Sequence, residues 1–395
     1  MSESKALHGQ FLIWLGAAIS IAEIMTGMLL APLGFSKGLF AILIGHLIGC
    51  GLFLLPAGYI GAKKHQTAIQ STKSTFGSTG VILFSLINLV QLIGWTAVMI
   101  VNAISAMNGV SNSLFNFKNS IIMGIVMAIL IIIWLLVDVS HLYQINLVIV
   151  SLLVIGSIIM IFLIFKTPVS HTPNLTTMTF GSAVELNITM ALSWLPLIGD
   201  YTKSTTRPIA MSAISSMGYF IGSFIMFTIG LFLTTRTGYT DFTSFLVTSG
   251  LGIIALFIII FSTVTTTFLD VLSATINIQN IHPFRNMKLI SPVIVVLGLV
   301  IAWVVPIDNY QTFLYFIASV FTPLYAIVFV SYFVMKQSLP YWLNIFWWLV
   351  GIFAYYQLQP FDFILGTTIV LLIGLSLFVY LSQFILPKRY LKKIH

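Results

Sequence analysis

The chain has 395 residues, of which 59% are hydrophobic and only 7% charged, and its mean hydropathy is +1.08. These values exclude a soluble globular domain and describe an integral membrane protein. The formal net charge of +8 would suit a nucleic-acid partner, but the basic residues are scattered among the connections between apolar stretches, so none is expected.

A spanning helix needs roughly 20 apolar residues. Hydropathy and turn signals divide the chain into about twelve such stretches, beginning near Phe11, Gly38, Gly80, Ile121, Ile145, Ala183, Ala210, Leu251, Leu289, Thr312, Tyr341 and Phe363. The expected fold is all-α, one transmembrane domain with no soluble domain of useful size. The N-terminal MSESKALHGQ is short and polar, and the apolar run after it is about twice the core of a signal peptide, so it is expected to stay as the first span. The single cysteine, Cys50, lies in an apolar stretch and leaves no disulfide framework. With the N-terminus cytoplasmic, thirteen Lys and Arg fall in inner connections and tails. Only Lys37, Lys118, Lys166 and Arg236 fall outside. That asymmetry places both termini in the cytoplasm and supports an even number of spans, and the expected location is the cytoplasmic (inner) membrane.

The first span, IWLGAAISIAEIMTGMLLAPLG, carries Ser20, Glu23, Thr26 and, within it, Gly16 and Gly27 where a lipid-facing helix would be plain. A carboxylate at that depth costs at least a few kcal/mol and is kept where it meets a partner, water or a ligand, so Glu23 is the leading functional residue. The alternative is a structural pair with another helix. The second span ends PAGYIGAKKHQ and holds His46, read as a satisfied structural histidine rather than a proton carrier. In the third, Gln91, Trp95 and Asn102 share one helical face, as a cavity wall or as interhelical glue. Spans four and five are rich in Ile, Leu and Val, join through a short turn with Asp138 and His141, and read as scaffold. An Asn-Leu-Thr pattern at Asn174 follows.

The sixth span, LNITMALSWLPLIGDY, contains Pro196 and Gly199. Paired interrupted spans in two halves of a chain point to a transporter site. In the eighth, Ser262, Thr266, Asp270, Ser273 and Asn277 form one stripe, bordered by Thr263 and Thr267. Its hydroxyls, beside freed carbonyls, suit a small hard cation; structural hydrogen bonding is the alternative. A basic loop with Arg285 and Lys288 precedes span nine. Thr322, Pro323 and Tyr325 in span ten read as a gate or a kink, and Trp342, Trp347 and Trp348 as anchors or packing residues. No HExxH, GxSxG, P-loop or CxxC pattern is present, so no enzyme chemistry is expected. An ion-driven carrier needs only a pocket and a coupling site, whereas a channel would more readily show repeated pore-lining motifs.

These motifs resemble the nucleobase-cation symporter family, which includes cytosine and hydantoin permeases, and within it the CytX-type branch of hydroxymethylpyrimidine transporters. The resemblance rests on WLGAAISIAEIMTG, AGYIGAKK, QLIGW, LSWLPLIGDYTKST and VTTTFLDVLSATINIQNI, in that order. It implies the LeuT-type fold: five spans (residues 11–166) repeated in inverted orientation by five more (183–335), with spans one and six broken, and two peripheral helices (341–384). No sequence repeat is visible between the halves.

By the same resemblance Trp95 is the stacking wall for a planar heterocycle, Ser193 faces the substrate, and Thr265 and Thr266 are the paired hydroxyls of a sodium site. That site would also take carbonyls at Ile19 and Ala22, and Ser262 stands where relatives can have Asn. A second stacking aromatic is replaced by Ala191, and Trp194 is the candidate to supply that wall. Thr267 replaces an amide that can bind the base, and Glu23 stands where the cytosine carrier has a small residue. The substrate-site expectation is therefore Glu23, Gln91, Trp95, Ser193, Trp194, Thr267 and Asp270. The expected function is import of a small pyrimidine, hydroxymethylpyrimidine first, with Na+ as coupling ion and H+ as the alternative, and no cofactor. Other readings are a permease for cytosine or another nucleobase, a proton-coupled amino-acid carrier, or a ligand-gated channel. The sequence does not fix the oligomeric state, and a monomer is compatible with it.

Overall fold

Hydrocarbon offers no partners to backbone N–H and C=O groups, so each apolar stretch closes its hydrogen bonds on itself as a helix. The computed structural model describes residues 3–136, 139–170, 177–250, 252–283, 286–305 and 310–394. Span one consists of α1 (Glu3–Ala18) and α2 (Ile21–Leu29), which meet at a 54° bend. Span two is α3 (Phe35–Ile48) and α4 (Leu55–Lys64) joined by a π-helical stretch, Gly49–Leu54. Spans three to five are α5 (Lys73–Phe115), α6 (Ser120–Leu136) and α7 (Val139–Lys166). Span six is α8 (Phe180–Leu192) and α9 (Leu195–Thr202), and span seven is α10 (Pro208–Thr237). After a short α11 (Phe242–Thr248) come α12 (Gly252–Ile281), α13 (Met287–Val304) and α14 (Tyr310–Phe329), and finally α15 (Tyr341–Leu358) and α16 (Thr367–Ile385).

The twelve expected stretches each correspond to one of these spans, with shifted ends. The helix α11 was not expected; Asp241 caps it, its carboxylate accepting from the N–H groups of Thr243 and Ser244. Asp138, Asn174 and Arg285 lie outside the described residues, as do the side chains of His141 and Lys288.

The packing repeats even though the sequence does not. Span one lies on span seven, and span six on span two. Span three lies on eight and nine, and span eight on four. Span ten lies on six, and span five on one. Exchanging every span for the one five places later leaves this set of neighbours unchanged, which is the arrangement that a repeat of five spans produces. The helices α15 and α16 pack on α14, outside the repeated set.

Lipid is as apolar as leucine, so helices associate in it through close van der Waals contact, and glycine allows the closest. A Cβ on Gly230 of α10 would stand 1.9 Å from the Ile24 carbonyl oxygen of α2, and one on Gly27 would stand 2.1 Å from that of Phe227. These two backbones touch. The related crossing of α3 on α8 is built likewise, with Gly45 against Asn187 and Gly49 against Ala191.

The ends of the spans are also tied. Gly61 of α4 meets Gly199 of α9, the Thr202 hydroxyl donates to the Gly58 carbonyl, and the Ala68 N–H donates to Asp200. On the same side, β1 (Gln337–Ser338) pairs antiparallel with β2 (Lys392–Lys393) and Ser338 donates to the Thr75 carbonyl. At the opposite ends Arg236 donates to the carbonyls of Ile164 and Phe165. Lys63, Lys64, Lys73, Lys203 and Lys336 thus gather on one side and Lys166 and Arg236 on the other, as the charge count requires.

Gly230→Ala should force α2 and α10 apart and cost about 1–3 kcal/mol, the usual penalty for overpacking. Gly374→Ala, whose Cβ meets nothing within 4 Å, should be close to neutral. Thermal unfolding of the two purified variants in detergent distinguishes them, and equal midpoints would contradict the backbone contact.

Candidate functional site

The break in span one has a local cause. Ser20 is extended (φ −135°, ψ 158°) and its hydroxyl accepts the Glu23 N–H at 3.4 Å, so Ser-x-x-Glu starts a new helix inside an apolar run. Glu23 then stands in the first turn of α2, where the helix dipole favours a carboxylate. It is 2% exposed and turns toward α10. The Tyr219 hydroxyl donates to Oε1 at 2.8 Å, and Ser223 Oγ lies 2.6 Å from Oε2. Ser223 Oγ is also 2.6 Å from His46 Nε2, and His46 Nδ1 donates to the Ile42 carbonyl at 2.9 Å.

Span six is interrupted more gently. Pro196, the second residue of α9, has no N–H to offer the Leu192 carbonyl four residues back, and Ser193 and Trp194 form a turn between α8 and α9. Three side chains from other spans take up carbonyls at this turn. Gln91 donates to Ser193 O at 2.8 Å, Tyr325 to Leu195 O at 2.8 Å and Asn88 to Pro196 O at 3.2 Å. In span one the Thr266 hydroxyl donates to Ala17 O at 3.0 Å.

Between the two breaks lies a cavity of about 310 Å³, lined by residues that include Ser20, Glu23, Trp95, Ser193, Trp194, Thr266 and Asp270. It is narrow, since the centre of a water molecule reaches only about 20 Å³ of it. Trp95 of α5 meets Phe313 edge-on, with ring centres 5.5 Å apart. Trp194 is held between Trp14, edge-on at 5.5 Å, and Tyr219 at 5.8 Å. Asp270 is 3% exposed, and no protein donor reaches its carboxylate among the described residues. No lysine or arginine lines the cavity.

Of the expected substrate residues, the cavity gathers Glu23, Trp95, Ser193, Trp194 and Asp270. It does not gather Gln91, which is spent on the Ser193 carbonyl, or Thr267, which is fully buried elsewhere. Asn102 is only half-buried and lies off the cavity. Ala191 faces Gly49 of span two and is not a cavity residue. The expected cation donors do not form one set. Ala22 and Thr266 line this cavity, whereas Ile19 and Ser262 line a neighbouring one of about 290 Å³. The hydroxyls of Ser262 and Thr265 donate back to carbonyls of their own helix, because serine and threonine can satisfy themselves there.

Tyr219, Ser223, Met99 and Met190 were not anticipated. A signal for the first two exists: Ser212, Ser216, Tyr219 and Ser223 recur at intervals of four, three and four along span seven. Tyr325, expected as part of a gate or kink, secures the turn in span six.

Two interrupted helices facing one cavity, in a packing that repeats after five spans, define a secondary transporter of the LeuT type, not an enzyme. A family model described as a permease for cytosine/purines, uracil, thiamine and allantoin matches residues 5–339, and the chain belongs to that family. Among solved structures, the nucleobase-cation-symport-1 family transporter Mhp1, closed with bromovinylhydantoin bound, shares the fold at TM-score 0.79 and 16% identity, covering 95% of this chain and 92% of that one. Inward-facing Mhp1 gives TM-score 0.75 at 14% identity, covering 95% and 90%. A substrate-bound, outward-open Na+-coupled sialic acid symporter gives 0.69 at 13%, covering 97% and 91%. No curated protein matches in sequence.

Tyr325→Phe and Gln91→Leu should each leave a buried carbonyl without its donor and lower stability by about 1–3 kcal/mol. Thermal unfolding beside Tyr59→Phe, whose hydroxyl makes none of these bonds, checks this; three equal midpoints would contradict it.

Proposed function

We propose that this chain imports a small pyrimidine, hydroxymethylpyrimidine first among the candidates, in symport with sodium and by alternating access. The observation that carries the reading is the cavity between the two breaks. It offers a tryptophan face, two buried carboxyl groups and no basic side chain. A flat ring with an exocyclic amine suits that composition, since stacking supplies affinity and polar edges supply identity. A carboxylate-bearing amino acid does not, because Glu23 and Asp270 would oppose it.

In this reading Trp95 stacks on the ring and Trp194 closes the other side. Asp270, with its oxygens uncommitted to protein donors, accepts from the exocyclic amine. Glu23 meets the same edge, as carboxylate or as protonated acid, and Ser193 contacts the ring. Gln91 holds the turn that presents Ser193, and Thr267 limits the space behind α12. Sodium takes the carbonyls of Ile19 and Ala22 and the hydroxyls of Ser262, Thr265 and Thr266, once those of Ser262 and Thr265 rotate away from their own helix and that of Thr266 leaves the Ala17 carbonyl. Residues 11–166 and 183–335 act as the two inverted repeats, with 341–384 peripheral. Both termini face the cytoplasm and the membrane is the inner one. Membership of a permease family for cytosine/purines, uracil, thiamine and allantoin, and the likeness to Mhp1 with bromovinylhydantoin bound, support a heterocyclic substrate. Differential binding drives the cycle, since ion and substrate together stabilise a closed state that neither stabilises as well alone.

Uptake of labelled hydroxymethylpyrimidine, cytosine and thiamine into proteoliposomes, with and without an inward sodium gradient, tests this. Saturable hydroxymethylpyrimidine uptake that the gradient stimulates is expected; no pyrimidine uptake under any gradient would end the reading. Trp95→Ala should weaken binding by about 1–3 kcal/mol, the usual worth of stacking a base on an aromatic ring. Glu23→Gln and Asp270→Asn should each reduce affinity, and full uptake in both would remove the carboxyl groups from recognition.

A further inference from the structure

Hydrogen counting in the chain from Glu23 through Ser223 to His46 leads beyond substrate recognition. A carbonyl oxygen only accepts, so His46 Nδ1, 2.9 Å from Ile42 O, must carry a hydrogen. A serine hydroxyl has one hydrogen, yet Ser223 Oγ makes two 2.6 Å contacts, to Glu23 Oε2 and to His46 Nε2. Only one of them can use the serine hydrogen. The other needs a hydrogen from its far end, either on the Glu23 carboxyl or on His46 Nε2. A Glu23 carboxylate beside a neutral His46 would set a nitrogen lone pair against an oxygen lone pair at 2.6 Å. The geometry therefore requires one proton more than that pair would hold.

We propose that Glu23, Ser223 and His46 bind a single exchangeable proton that the transport cycle uses, so that proton binding is coupled to occupation of the cavity Glu23 lines. The proton has two positions of equal net charge. In one, Glu23 is a carboxylic acid donating to Ser223, which donates to neutral His46. In the other, Ser223 donates to the Glu23 carboxylate and His46, as imidazolium, donates to Ser223. Passage between them moves the Oε2 proton to Ser223 Oγ and the serine proton to Nε2, with nothing gained or lost. A substrate amine at the cavity favours the second form, and withdrawal of the substrate favours the first. His46 is fully buried, ringed edge-on by Phe220, Phe224 and Phe227, so the proton reaches it from the cavity side.

The other titratable groups that face this chain are Tyr219 of α10, donating to Glu23 Oε1, Cys50 of the π-helical stretch, and Asp270 of α12 across the cavity. From α8 the Asn187 side chain reaches the His46 ring, and from α5 and α8 Trp95, Met99 and Met190 line the cavity; none of these titrates. Asp270 is the rival proton carrier. It has no partner to share a proton with, so the two can be told apart.

The proposal rests on the reading above only in taking this cavity as the transport site. The test is infrared difference titration of the full-length protein in lipid, with Glu23→Gln, His46→Gln, Ser223→Ala and Asp270→Asn beside it. A titrating carboxyl band should vanish in Glu23→Gln, shift its midpoint in His46→Gln and Ser223→Ala, and persist in Asp270→Asn. Added hydroxymethylpyrimidine should move the wild-type band from carboxylic acid toward carboxylate, with that shift lost in His46→Gln or Ser223→Ala. A band that ignores both of those substitutions overturns the proposal, even where sodium-driven uptake is intact. A band that responds to them while no pyrimidine is taken up upholds the shared proton and overturns the substrate instead. Ser223→Ala, the smaller change, decides the matter where His46→Gln does not fold.

Discussion

Everything in this fold that bears on transport follows from the demand that a carbonyl released inside a bilayer must find a donor. A helix that stops in hydrocarbon frees several such groups, each costing kilocalories if left alone. Here the donors come from distant spans, Thr266 to Ala17 and Gln91 to Ser193, while Tyr325 and Asn88 bond to the carbonyls of Leu195 and Pro196 in the first turn of α9. The interruptions thereby become attachment points for spans three, eight and ten. The same bonds that make the breaks tolerable set the walls of the cavity between them.

The two breaks are not equivalent. Span one bends sharply at an extended serine and starts a fresh helix with a carboxyl group in its first turn. Span six relaxes for two residues and resumes behind a proline. One side of the cavity is therefore electrostatic, with Glu23 and its donors, and the other is aromatic, with Trp194 against Trp14 and Tyr219. Asp270 faces both from α12. A ligand that pairs a π face with a hydrogen-bonding edge matches such a division, and neither a purely apolar nor an anionic one does.

Much of this was legible before the structure. Twelve apolar stretches, an interrupted first and sixth span, and polar residues where lipid-facing helices carry none identified Glu23, Trp95, Ser193 and Asp270, and all four line the cavity. What the sequence could not say is which polar groups serve the protein and which serve a ligand. Gln91 looks like a binding residue until its backbone partner, over a hundred positions away, is known. Thr265 and Ser262 read as cation ligands, and the structure shows what such a role must first undo, the bonds of their hydroxyls to their own helix. Ser223 was overlooked because serines are frequent in membrane helices and only its neighbours give it meaning. His46 was read as satisfied, and it is, but its second bond depends on where a proton sits.

The contact of Gly27 and Gly230 with opposing backbone has a mechanical consequence. Where Gly27 and Gly230 meet the opposing backbone no side chain separates α2 from α10, and sliding one along the other would drive Cα atoms into carbonyls. The carboxyl of Glu23 and the hydroxyls of Tyr219 and Ser223 are mounted on that fused pair and travel together. Rearrangement must fall on joints with softer packing, so this carboxyl and its two donors keep their spacing whichever way the cavity opens.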